Sequence, residues 1–320
     1  MNAMVVRLLL CVLVITASLM AGSAFAESPN LGPVTMEQST SIAKAFVGGD
    51  RAEELSYTAL ATRRMFAPFV ACHRFELPLH LNDEEGKPLT AGVLVEENTG
   101  RVVQYFCGFG YQKAKARGKE KPKDGDLISE AKAKEIAQGV LAKARISMEG
   151  MRLRNFQLVR YTLQDNYCAY TAVYAKYAQL PNIGEVELPV TAQILMDAAT
   201  GEVYTYIFKE RPLLIALAPP QISDGQAIEL VKAKKYLKQV SEVVGAHLKV
   251  AFDLQDISKA EAELEYDNPS RFYDEVESKR QVLAWEVKLK GVHPFLGETV
   301  DLTALVDANT GKVFDYNMPM

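Results

Sequence analysis

The chain contains, near its C-terminus, the segment Val306-Asp307-Ala308-Asn309-Thr310-Gly311-Lys312-Val313. This composition is typical of a tight turn, because Asp and Asn favour its entry and Gly takes the left-handed conformation that closes it. Apolar residues alternate with polar ones from Val300 to Val306, as in a half-buried antiparallel strand. The segment therefore predicts a β-hairpin with one buried face.

The same pattern occurs twice more in the sequence, at 95–102 and at 196–203. Each copy has an apolar residue, an acid, two variable residues, Thr-Gly, a charged residue and Val. The three glycines, Gly100, Gly201 and Gly311, recur at a nearly regular spacing along the chain. Regular recurrence of one turn motif indicates an internal repeat.

A helix start precedes each turn motif. The starts pair an apolar residue with a hydroxyl residue: Val34-Thr35, Ile128-Ser129 and Ile222-Ser223. Gln follows Thr35 and Ser223 by three residues, which predicts a capping box at both, whereas Lys132 follows Ser129 and predicts a cap without the box. The clearest helical stripe follows Ser129.

These patterns predict an α+β fold made of three tandem units, each a helix packed on a small antiparallel sheet. The predicted divisions are a first unit at 27–111, a basic linker at 112–126, a second unit at 127–209, an apolar linker at 210–220 and a third unit at 221–320 with an insert at 246–281. The apolar linker is expected to pack between units.

The N-terminus has the pattern of a secretory signal peptide over residues 1–26. Arg7 supplies a positive charge, Leu8 to Met20 is mostly apolar, and Ala24-Phe25-Ala26 fits a cleavage site. An uncleaved anchor is the alternative. No later stretch is long and apolar enough to span a membrane. The sequence thus predicts a periplasmic or secreted protein with no stable membrane span after cleavage.

Charge and cysteine content restrict the remaining possibilities. The formal net charge is −4, which argues against a nucleic-acid partner, since such proteins concentrate basic residues. An oxidising compartment permits disulfides. Cys72 and Cys107, each beside a strand-like run, form the disulfide candidate, and Cys168 is then a buried thiol. The pairing stays open at the level of sequence.

The helix, strand and turn motif together resemble the PepSY domain family, which is named in part for peptidase propeptides. The third unit matches best, with Ile222 to Leu237 as the helix, Ala284 to Leu289 as the first strand and Val306 to Val313 as the turn. The resemblance implies a non-catalytic module outside the cytoplasm. Family members in metalloprotease precursors accompany an enzyme and restrain it or assist its folding.

The sequence lacks the linear motifs of the common catalytic and zinc-binding sites. No two of His73, His80, His247 and His293 stand four residues apart, as a zinc-peptidase helix requires. Two Ser-x-x-Lys matches lack the companion motifs that give that pattern its chemistry. We therefore expect no catalytic residue, no metal and no cofactor.

Aromatic residues mark the one candidate binding surface. They alternate on two predicted strands: Tyr170, Tyr174, Tyr204, Tyr206 and Phe208. They form either an exposed face for a protein or glycan, or a packing layer against a neighbouring unit. The leading hypothesis is an exported, non-catalytic module that binds an envelope protein, such as a peptidase. The alternatives are an enzyme whose site is assembled between units and a structural envelope component.

Overall fold

The computed structural model describes residues 33–62, 70–82, 86–107, 123–160, 168–214, 216–267, 272 and 276–318. The predicted signal peptide and most of the predicted basic linker lie outside these residues. The helices are α1 (Met36–Val47), α2 (Glu130–Lys143), α3 (Asp224–Ala233) and α4 (Lys259–Asp267). The strands are β1 (Ser56–Thr62), β2 (Ala71–Asn82), β3 (Pro88–Glu96), β4 (Val102–Phe106), β5 (Met151–Arg160), β6 (Cys168–Leu180), β7 (Gly184–Asp197), β8 (Val203–Glu210), β9 (Gln239–Phe252), β10 (Gln281–Val292), β11 (Thr299–Asp307) and β12 (Val313–Asn317).

The three predicted helix starts are confirmed. Thr35 and Ser223 cap α1 and α3 with complete capping boxes, in which the cap hydroxyl and the Gln side chain satisfy each other's backbone N–H groups. Ser129 caps α2 by accepting a hydrogen bond from the Lys132 backbone N–H. These caps satisfy donors that the first helical turn leaves without partners.

The turn predictions are also confirmed. Asp197 Oδ1 and Asp307 Oδ1 each accept hydrogen bonds from the backbone N–H groups two and three residues later, at 2.8–2.9 Å. Gly201 and Gly311 both have φ of +75°, in the left-handed region that favours glycine. In the first turn Glu96 replaces Asp and accepts a hydrogen bond from the Thr99 hydroxyl instead.

The predicted fold class, in which each of three units packs a helix on its own small sheet, is wrong. All twelve strands belong to one mixed sheet. The first two units merge where β4 pairs with β8, with Tyr105 opposite Tyr206. Each of these strands would otherwise end its own small sheet with unpaired N–H and C=O groups, and the pairing satisfies them. Hydrophobic periodicity contains no signal for which sheet edges will join.

The sheet has two lobes. The first lobe comprises β1 to β8 with α1 and α2, in strand order β1-β2-β3-β4-β8-β7-β6-β5. The second lobe comprises β9 to β12 with α3, and its strands follow one another in sequence order. The lobes join where β7 and β9 run parallel, with Glu187 as the Cα partner of Lys249.

Each lobe has a hydrophobic core. Residues of α1 and α2 share the core of the first lobe, where the Phe46 ring lies 5.9 Å from the Tyr105 ring and 5.8 Å from the Tyr206 ring. In the second lobe α3 packs on β10 and β11 through Val231, Val287 and other buried residues. Phe46 therefore links residues that the sequence assigned to different units.

The apolar linker packs against the lobe junction. Leu213 and Leu217 contact a small core that includes Val186 of β7 and Leu248 of β9. The Gln281 side chain accepts a hydrogen bond from the Leu214 N–H and donates one to the Pro212 carbonyl, both at 2.8 Å. Residues 246–252, within the predicted insert, continue strand β9 and pair with β10.

Candidate functional site

A cleft of about 550 Å³ lies between the two lobes. One wall is formed by β5 and β6 of the first lobe, and the other by β10, β11 and β12 of the second lobe. The lining side chains that can contact a ligand through hydrogen bonds or charge include Asn155, Gln157, Thr303, Asn317, Arg154 and Glu286. Clefts between domains are common places for ligand sites.

The alternation of β5 positions the first wall. Phe156 and Leu158 pack against the core of the first lobe, and the Phe156 ring stacks on Tyr170 at 5.2 Å. Because successive strand residues point to opposite faces, Asn155 and Gln157 are directed to the cleft. On the second wall, Thr303 of β11 and Asn317 of β12 are Cα partners and share a face.

An ion cluster, defined as Arg154, Glu187, His247, Lys249, Glu286 and Lys288, adjoins the cleft, and Arg154, Glu286 and Lys288 line it. The side chains of Glu187 and Glu286 are 2% and 3% exposed. Arg154 contacts both carboxylates, and so does Lys249, at 3.3 and 3.0 Å. His247 Nε2 lies 3.0 Å from Glu187 Oε2. Each buried carboxylate is thus paired with more than one cation, which offsets the cost of removing it from water.

A β-bulge places Arg154 in this cluster. The pairing of β5 with β6 passes from Leu153 opposite Tyr174 to Asn155 opposite Val173, so Arg154 is the extra residue. A bulge bends the strand and redirects a side chain. The redirected guanidinium reaches from the first lobe to Glu286 of the second lobe.

The cluster holds its carboxylates ionised. Burial raises the pKa of Glu286, but Lys249 and Arg154 outweigh it and lower the pKa to about 2. The pKa of Glu187 is lowered as well, because His247, Lys249 and Arg154 outweigh burial. Burial and the neighbouring Glu187 raise the pKa of Tyr177, which donates to that carboxylate, to about 12.

The two oxygens of Glu286 have different partners. Its Oε2 accepts hydrogen bonds from Arg154 and Lys249. Its Oε1 accepts none from the residues that the structure describes, although Lys288 Nζ lies 3.3 Å away. The Lys288 ammonium thus compensates the charge at Oε1, while Arg154 and Lys249 compensate it at Oε2.

The predicted aromatic face is buried. Tyr170, Tyr174, Tyr204, Tyr206 and Phe208 are at most 5% exposed, so they form no accessible platform. The Tyr204 hydroxyl donates to Asp197 at 2.6 Å, and the Tyr206 ring packs near Phe46 of the predicted first unit. These residues instead form a packing layer inside the protein, which is the second of the two alternatives for the aromatic residues.

The strand register does not bring Cys72 and Cys107 together. Cys72 lies opposite Glu96, whereas Cys107 directly follows Phe106, which lies opposite Gly92. Cys107 is therefore level with Ala91, five residues of β3 from Glu96, or about 17 Å along the strand. A disulfide requires Cα atoms within about 7 Å. These two cysteines and Cys168 are all buried.

The ion cluster and the cleft were not foreseen from the sequence. A usable signal was present in the first strand of the third unit, Ala284-Trp285-Glu286-Val287-Lys288-Leu289, where charges stand among apolar residues. Within the described ranges, no group of three or more His, Cys, Asp or Glu side chains is placed to hold a metal. No described helix has the length and apolar character needed to cross a bilayer.

Comparison with solved structures adds a likeness of shape. No family model matches the sequence, and no curated protein matches it. Among solved structures, the chain is similar to the Bacillus megaterium YpeB C-terminal domain, with a TM-score of 0.49 and 14% sequence identity. The alignment covers 90% of this chain and 99% of that chain. The PepSY resemblance of the sequence therefore remains a resemblance.

Proposed function

We propose that this chain is an exported, non-catalytic binding module that engages another protein of the cell envelope, such as a peptidase. The observation that carries the proposal is the polar cleft between the lobes. Its walls offer amide, hydroxyl and charged groups, and Arg154, Glu286 and Lys288 of the ion cluster are among its lining residues. These groups suit a partner segment that enters the cleft.

An extended polypeptide is the ligand that matches these walls best. Asn155 and Gln157 stand two residues apart on one strand, and each side-chain amide both donates and accepts hydrogen bonds. A polypeptide main chain offers N–H and C=O groups in alternation, so it can satisfy both walls.

Cross-linking in envelope extracts tests this proposal. A photo-reactive residue at Gln157 is expected to capture a defined protein. Thr303→Arg places a long cation in the cleft and should reduce capture at least tenfold. Thr90→Arg is the matched control, because Thr90 is an exposed residue of β3 that does not line the cleft. Capture that Thr303→Arg leaves unchanged would contradict binding in the cleft.

The peptidase part of the proposal has its own test. If the captured protein is a peptidase, its rate on a peptide substrate is measured with and without the chain. We expect the chain to change that rate and Thr303→Arg to lose the effect. If the captured protein has no peptidase activity, the binding function stands, but the proposal that the partner is a peptidase is wrong.

The rival enzyme hypothesis concerns the same place, because the ion cluster lies between the lobes. A general acid at neutral pH requires a raised carboxyl pKa, whereas Glu187 and Glu286 have lowered pKa values. Their pairing favours a structural role. Activity profiling against peptide and peptidoglycan substrates tests the rival. Hydrolysis that is abolished in a folded Glu286→Gln variant would replace the binding proposal.

A further inference from the structure

The hairpin that joins β10 to β11 displays two large apolar side chains. Its turn, residues 293–298, has the sequence His-Pro-Phe-Leu-Gly-Glu and is named here the β10–β11 tip. Phe295 is 91% exposed and Leu296 is 55% exposed. Scattered apolar residues are ordinary on protein surfaces, but two adjacent ones at the end of a hairpin form a small protruding patch.

Hydrogen bonds fix the shape of this tip. His293 Nδ1 accepts from the backbone N–H groups of Phe295 and Leu296, at 3.2 and 3.1 Å. The His293 N–H donates to the Glu298 carbonyl at 2.8 Å, and the Gly297 N–H donates to the His293 carbonyl at 3.2 Å. The apolar side chains are thus held outward by a structured turn, so little ordering is needed when they become buried.

One lysine lies at the base of the tip, and two more precede it along the chain. The Lys238 N–H donates to the carbonyl of Val292, the residue before the tip, at 2.9 Å. Lys234 and Lys235 precede it by three or four residues, and all three lysines are exposed. Lys234, Lys235 and Lys238 are therefore exposed lysines in the segment that leads to the base of the tip.

Acidic groups at this end partly balance the lysines. Glu242 and Asp301 are both Cα partners of Lys290, so these three charges lie together on neighbouring strands. Glu298 is the remaining exposed acid within the tip. Four lysines, Lys234, Lys235, Lys238 and Lys290, against Glu242, Glu298 and Asp301 give these groups a net charge of +1.

We propose that the β10–β11 tip docks on the surface of an anionic lipid bilayer. Phe295 and Leu296 enter the boundary between headgroups and acyl chains, which lies about 5–10 Å deep. Lys234, Lys235 and Lys238 lie at the level of the phosphates, where each lysine near an anionic surface adds attraction. Their aliphatic stems follow the apolar surface while their charges stay in water.

An apolar tip with lysines at its base fits a bilayer better than a protein pocket. A protein pocket would select the shape of Phe295 and gain little from cations several residues away. A bilayer offers both an apolar layer and an anionic layer at different depths, in the same order as the tip and the lysines. The inference is independent of the cleft and of any partner bound there.

Vesicle co-sedimentation of the purified chain tests the docking. The probes are vesicles of phosphatidylcholine alone and of phosphatidylcholine with one quarter phosphatidylglycerol. We expect binding to the anionic vesicles at least tenfold stronger than to the neutral ones. The double variant Phe295→Ser with Leu296→Ser should reduce anionic binding at least tenfold. Lys234→Glu with Lys235→Glu and Lys238→Glu should remove the preference for anionic lipid.

Leu60→Ser is the matched control, because Leu60 on β1 is 57% exposed and lies in the other lobe. It should change binding less than twofold, and circular dichroism should show that every variant is folded. Equal binding by the double variant and the unmodified chain would overturn the proposal. No sedimentation of the unmodified chain with anionic vesicles would also overturn it, and would favour an apolar pocket on a protein instead.

Discussion

Glu187 on β7 and Lys249 on β9 are paired both through their backbone positions and through their side chains. Their Cα positions face each other in the parallel contact between the lobes, and Lys249 Nζ lies 3.3 Å from Glu187 Oε1. The backbone contact and the ion cluster therefore occupy the same place. Buried charges stabilise such a place only while each has its partners, since an unpaired buried ion is strongly unfavourable. The lobe junction should accordingly be sensitive to single changes in the cluster.

Glu286→Gln is expected to destabilise the chain strongly. The neutral side chain would leave Arg154 and Lys249 with less compensating charge, and loss of one partner of a buried pair costs about 3–5 kcal/mol. Glu185→Gln is the control, because Glu185 pairs with Arg152 at the surface and is 46% exposed. Its loss should cost less than about 1 kcal/mol. Urea unfolding at pH 7 measures both, and equal losses would contradict a structural role for the cluster.

Stability should fall between about pH 5 and pH 2. The pKa of Glu286 is 4.5 ordinarily and about 2 in the folded chain, so the unfolded chain binds more protons in this interval. The stabilisation by this carboxylate is complete above its unfolded pKa and is lost as the pH falls through its folded pKa. At about 1.4 kcal/mol per pKa unit, the contribution is about 3 kcal/mol.

The test compares the free energy of unfolding of the unmodified chain and Glu286→Gln across this pH range. The variant lacks the titrating group, so its stability should decline less steeply towards low pH. Parallel declines in the two proteins would show that other carboxylates dominate the acid response.

Local structure was predictable because it depends on neighbouring residues. Thr35 with Gln38 forms a capping box from residues that are three apart, and Asp307 with Gly311 forms a turn from residues that are four apart. Such short-range bonds have the same geometry in any fold. The sequence therefore located these helix starts and turns correctly.

The sheet and the cleft depend on contacts between distant residues. Tyr105 meets Tyr206 because two sheet edges join, and Arg154 meets Glu286 because a bulge turns one side chain towards another lobe. Neither event changes the alternation of apolar and polar residues along a strand. The same alternation placed Tyr204 and Tyr206 on one face, but it could not show that this face is covered.

Phe46→Ala should destabilise the first lobe as a whole. Phe46 of α1 packs between Tyr105 and Tyr206, so its removal leaves a cavity in a core shared by both predicted units. Such truncations cost about 3–5 kcal/mol. Hydrogen exchange should accelerate in β8 as well as in α1. Val231→Ala, in the second core, is the control and should leave β8 unaffected. Faster exchange in α1 alone would indicate that the units unfold independently.

Comparison of Gly201→Ala with Gly311→Ala separates the stability cost of backbone strain from the cost of steric crowding by the new methyl group. Both positions have φ of +75°, where alanine costs about 1–2 kcal/mol. The new Cβ would lie 2.5 Å from Ile136 Cδ1 at position 201, but 3.2 Å from the Cδ1 of Leu230 at position 311. Leu230 is 37% exposed and has room to move, whereas Ile136 packs against the first core.

Gly201→Ala should therefore lose more stability than Gly311→Ala, by about 1–3 kcal/mol for the added crowding. Ile136→Val removes the Cδ1 atom that the new methyl group meets. In a double-mutant cycle, Gly201→Ala should cost less in the Ile136→Val background, because only the backbone strain would remain. Additive losses in urea unfolding would mean that the turn and α2 are not in the close contact that fixes the helix on the sheet.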